Sequence, residues 1–107
     1  MAVTLEQDED RNLIRFAETV DIACAAELKQ LLVQALVSGK EICVDAEQAG
    51  GMDVTAIQLL WAAQRAAAAA GVEFVLTAPV PDKILAQLRE DGFEEFPVPA
   101  ELHAAVQ

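Results

Sequence analysis

Asp53-Val54-Thr55 is the segment in which residue types and spacing offer chemistry. Asp53 is a good helix N-cap, which makes Val54 the first helical residue and Thr55 the second. A hydroxyl at that place stands beside the unpaired amides of a first turn, where the helix dipole stabilises an added anion by ~0.3–1 kcal/mol. The chemistry this offers is covalent modification, with Thr55 as a physically sensible phosphoacceptor. The competing local reading is that the hydroxyl bonds nearby backbone or covers the helix end.

The residues after Thr55 suggest a recognition face. At about 100° per residue, Ala56, Leu59, Leu60, Ala63, Ala66, Ala67 and Ala70 gather on one side, expected to be core. Val54, Gln58, Trp61 and Arg65 collect opposite, with Ile57 alongside. Tryptophan and arginine are enriched at interface hot spots. Asp53, Val54, Thr55, Ile57, Gln58, Trp61 and Arg65 therefore form the expected partner-binding set, unless a neighbouring element covers Trp61.

Other reactive arrangements are missing. His103 is the only histidine and has no nucleophile or second ligand beside it, so it reads as a surface residue. Gly50-Gly51 precedes a helix as phosphate-binding loops do, but neither GxxxxGK[ST] nor GxGxxG occurs. Glu94-Glu95 and Asp8-Glu9-Asp10 are adjacent acids on turns, which usually solvate a surface. Cys24 and Cys43 fall in apolar stretches without CxxC spacing and read as small hydrophobes. The expectation is a protein that is no enzyme, has no catalytic residue and holds neither cofactor nor metal.

These residues need elements to position them. Val3 to Glu6 and Asn12 to Ala17 read as two strands joined around Gln7–Arg11 as a hairpin, followed by a turn at Glu18-Thr19-Val20-Asp21. From Ala23 to Ser38 the residues Leu28, Leu31, Leu32, Ala35 and Leu36 form a helical stripe, with Asp21 to cap it and Gly39 to stop it. Glu41 to Asp45 is a strand that runs into a loop, Ala46 to Met52, broken by the glycine pair. A helix follows from Asp53 to Ala70, closed by Gly71, and then a strand from Val72 to Thr77. Pro79 and Pro81 bound a turn before a third helix with Ile84, Leu85 and Leu88 on its inner face, ending at Gly92. Phe93 and Phe96 are expected core anchors, and Ala100 to Val106 a last short helical stretch. Strands linked through helices demand crossovers, hence an α/β fold with a mixed sheet of four to five strands and three to four helices.

At 107 residues the chain reads as one domain over 1–107. Eighteen Asp and Glu against seven Lys and Arg leave a net charge of −11, which repels phosphates and excludes nucleic acid as a partner. No apolar run has membrane-spanning length, so no membrane insertion is expected. Met1 to Asp10 is acidic and unlike a signal peptide, which points to a cytoplasmic protein.

The order of elements and the segment Asp53-Val54-Thr55-Ala56 resemble the STAS domain family, the α/β module of anti-sigma factor antagonists, stressosome proteins and anion-transporter tails. In the antagonist branch the helix starts at Asp-Ser-Ser-Gly or Asp-Ser-Thr-Gly, and the third residue is phosphorylated. Val54 stands here for serine and Ala56 for glycine. The Glu41–Asp45 strand and the Gly92-Phe93 pair also fit the family's order. The resemblance implies a protein-binding regulatory domain that binds an anti-sigma factor kinase until Thr55 is phosphorylated. The alternative it allows is a constitutive subunit of a lipid-transport ABC complex or of a receptor or stressosome-type signalling assembly. Self-association through the apolar ridge is a further expectation, and a small-ligand domain is the weakest reading.

Overall fold

A computed structural model describes residues 2–99. The elements run β1 (Val3–Gln7), β2 (Arg11–Val20), a 3-10 turn (Ile22–Cys24), α1 (Ala25–Ser38), β3 (Glu41–Met52), α2 (Val54–Ala70), β4 (Phe74–Leu76) and α3 (Asp82–Glu90). The sheet has the order β1-β2-β3-β4. β1 pairs antiparallel with β2, while β2–β3 and β3–β4 are parallel. The mixed sheet expected from the element order is present, with four strands and three α-helices among the described residues. The expected helical stretch Ala100–Val106, with His103, lies outside the described residues.

Alternation of side chains sets the two faces of the sheet. Val3, Ile14, Phe16, Ile42, Val44 and Phe74 are buried in one core with Leu28, Leu32 and Ala35 of α1 and with Ile57, Leu60 and Ala63 of α2. Ile84 and Leu88 of α3 join the same core. On the other face Arg15 spans three strands, 3.2 Å from Glu6 and 3.6 Å from Asp45. Exposed pairs of this kind contribute ~0–1 kcal/mol.

Two strands are longer than the sequence suggests. β2 continues through Glu18 and Thr19 to Val20, and β3 continues through the glycine pair to Met52. The expected turn at 18–21 and the expected loop at 46–52 are both corrected. The strands stay paired because the register shifts twice, between Arg15 and Ala17 and between Glu18 and Thr19. Each shift places one extra β3 residue opposite β2, as in a β-bulge. Glu18 takes a left-handed φ of 57° at the second shift. A Cβ on Gly50 would lie 3.4 Å from the Glu18 carbonyl carbon, so a residue without one eases the close approach there.

Asn12 is the one buried polar side chain among the described residues. Its Nδ2 donates to Ser38 Oγ at 2.9 Å and to the Lys40 carbonyl at 3.3 Å, and its Oδ1 accepts from Gln7 Nε2 at 2.8 Å. The amide thus ties β1 and β2 to the turn between α1 and β3. Gly39 closes α1 at φ 73°, a conformation that costs glycine little.

Candidate functional site

β3 ends on buried Met52, and the next residue begins the site. The Asp53 amide donates to the Val20 carbonyl at 2.8 Å, which docks the start of α2 onto the end of β2. Gln87 of α3 steadies the same corner, its Oε1 accepting the Met52 amide at 3.3 Å. The helix start is therefore held by two strands and a second helix.

Asp53 is the N-cap, extended at ψ 153°, and its Oδ1 accepts the Thr55 amide at 2.8 Å. Its carbonyl accepts the amides of Ala56 at 3.0 Å and Ile57 at 3.2 Å. The expectation that the Thr55 hydroxyl sits beside unpaired first-turn amides is narrowed by these bonds. The amides of Thr55, Ala56 and Ile57 are all engaged by Asp53. Thr55 itself is half-buried.

The outer surface of α2 differs from the expected one. Ala56, Ile57, Leu60, Ala63 and Ala67 are its buried residues, whereas Ala66 and Ala70 are exposed and Leu59 is half-buried. The buried stripe is rotated from the expected one, which followed the alanines and gave Ile57 too little weight. Ile57, expected beside the recognition face, is 1% exposed and belongs to the core. Trp61, expected to project outward, is half-buried and packs against the core. It lines a small pocket with Gln64, Glu95, Phe96, Pro97 and Pro99. The backbone of this last segment returns to the sheet, where the Pro99 carbonyl accepts the Leu76 amide at 2.8 Å. Val54, Gln58 and Arg65 are exposed, so three of the outward positions are where the sequence puts them.

A second apolar tip stands beside the site. Asp21 caps the 3-10 turn by accepting the Ala23 amide at 3.0 Å, and Ile22 in that turn is 69% exposed. The turn touches α2, whose first residue, Val54, is 37% exposed. Sequence reasoning missed Ile22, because an apolar residue after a capping aspartate looks like the first anchor of a buried helix face. No helix among the described residues is long and apolar enough to cross a membrane.

Comparison with known proteins adds the following. The family model described as "Mlab, STAS domain" matches residues 3–99. The solved structure of the anti-sigma factor antagonist SpoIIAA in its unphosphorylated form is 20% identical with a TM-score of 0.69, covering 98% of this chain and 94% of its own. The phosphorylated form of SpoIIAA, a Bacillus cell fate determinant, is 19% identical with a TM-score of 0.68, covering 98% and 96%. The larger protein Mglu is 19% identical with a TM-score of 0.65, covering 78% of this chain and 21% of its own. At these identities the likeness establishes the fold. No curated protein sequence matches the chain.

Proposed function

The chain belongs to the STAS domain family, and from that premise we propose that it is a non-catalytic, cytoplasmic protein-binding domain that meets a partner through the start of α2 and is switched at Thr55. The observation that carries this reading is the placement of Thr55 as the second residue of α2, with exposed Val54 and Gln58 on either side. A phosphate there would add nearly two negative charges beside the Asp53 carboxylate and on the contact surface itself, which opposes binding. An anti-sigma factor kinase is the partner this reading favours, in keeping with the two SpoIIAA structures.

The experiment is incubation with such a kinase and ATP, followed by mass spectrometry of the intact chain and its peptides. Phosphate on Thr55, with loss of kinase binding, is the expected result. An active kinase that leaves Thr55 unmodified sinks the switch.

Two observations favour a second reading. Thr55, Ala56 and Ile57 have their amides already held by Asp53, and exposed Val54 offers an apolar contact. Both suit a constitutive subunit of a lipid-transport ABC complex or of a signalling assembly. In that case Thr55→Glu weakens binding, yet the protein from cells carries no phosphate.

A further inference from the structure

The two helices α1 and α2 lie side by side, and between them runs a shallow groove of about 200 Å³. Its walls are Leu32, Val33 and Leu36 on one side and Leu59, Ala62 and Ala66 on the other, with Lys29 at the rim. Val33 is 50% exposed and Val37, one turn further along the same ridge, is 81% exposed. With Val54, these helices carry three of the four exposed large hydrophobics among the described residues, the fourth being Ile22.

Charge separates this face from the rest of the molecule. The chain holds 18 acidic residues, but the 14 residues of α1 and the 17 of α2 include only Glu27. By helical spacing Glu27 lies about 120° round α1 from Val33, away from the groove. Two copies, each carrying −11, repel one another through their acidic strands, loops and α3. The α1–α2 face alone lets them meet without setting carboxylates against carboxylates, and loss of charge is the compositional mark of an interface core.

We propose that this face is the contact between two copies of the chain, packed isologously about a two-fold axis. The 17 residues of α2 make the face ~25 Å long. Two helix diameters make it ~20 Å wide, or on the order of 500 Å² per copy. That is below the ~800 Å² per partner of a standard stable interface, so the dimer is a weak, concentration-dependent one. The inference does not depend on Thr55 or on the partner proposed above.

Sedimentation velocity of the full chain from low to several hundred micromolar tests it, at low and at high salt. The expected result is a monomer–dimer equilibrium that tightens with salt, because screening removes the repulsion and leaves the apolar contact. Val33→Glu and Ala62→Glu each weaken it roughly tenfold or more, and Ala86→Glu on α3, an equal change of charge elsewhere, leaves it intact. Val37→Glu, at a still more exposed position, replaces either variant if circular dichroism shows that it unfolds. A monomer at every concentration overturns the proposal. So does a dimer that loosens with salt or survives both groove substitutions.

Discussion

The Asp53 carboxylate holds the Thr55 amide at 2.8 Å, so one side chain both starts α2 and fixes the backbone of the candidate acceptor. Replacing Asp53 by alanine removes a cap worth ~1 kcal/mol. For a chain of this size that lowers Tm by roughly 4–8 °C. Asp53→Asn, an equally good cap, leaves Tm within about a degree or two. Thermal melts of the three proteins check the ordering.

Glu18 occupies a left-handed conformation that costs a side-chain-bearing residue ~1–2 kcal/mol. Stability should therefore fall in the order Glu18→Gly, wild type, Glu18→Val, the last because a β-branched residue tolerates positive φ worst. Urea unfolding midpoints give the order directly, and a valine variant as stable as wild type contradicts the strain.

Asn12→Ala removes the buried amide while leaving the Ser38 hydroxyl and the Lys40 carbonyl in place. The expected loss is ~1–3 kcal/mol. Hydrogen exchange should show the amides at the start of β3 opening first, because they lie next to the turn that Asn12 secures.

Trp61 is the only tryptophan, and the chain has no tyrosine, so its emission reports on one environment. Phe96→Ala should loosen the segment lying beside it and shift that emission to the red. An unshifted spectrum in a folded variant argues against the cover formed by residues 95–99.

Asp8 gives the acid response of the hairpin. Its carboxylate accepts the amides of Asp10 at 2.8 Å and Arg11 at 2.9 Å, which hold it below its ordinary value of 3.8. A depressed folded value means the contribution is present above the unfolded value and is lost as pH falls through the folded one. The difference in Tm between wild type and Asp8→Ala should be steady near neutrality and narrow as the pH drops below about 4.

The helices were the more legible part of the fold. α2 runs from Val54 to Ala70 as its cap, its composition and Gly71 indicate, because each of those signals is local. The strand ends were not legible. Gly50-Gly51 reads as a breaker, yet pairing to β2 across a bulge carries β3 through it, and the partner strand is some thirty residues away. The outer face of α2 was legible at Val54, Gln58 and Arg65, which are exposed. It was misread at Ile57, where alanines blurred the centre of the apolar stripe. At Trp61, where the sequence left outward projection and cover by a neighbour both open, the side chain lies half-buried beside Glu95, Phe96, Pro97 and Pro99.

The paired register shifts have a consequence for how the chain can change length. From Ile14 to Val20 is six residues on β2, and from their partners Val44 to Met52 is eight on β3, so both pairs face the core. The two bulges together preserve the alternation, whereas either one alone would invert it. Losing one residue between Ala46 and Gly51 would turn Met52 to solvent and swing Asp53 off the Val20 carbonyl. Losing two would not. The segment before the site is thus constrained in parity rather than in identity, and variation there should come in steps of two.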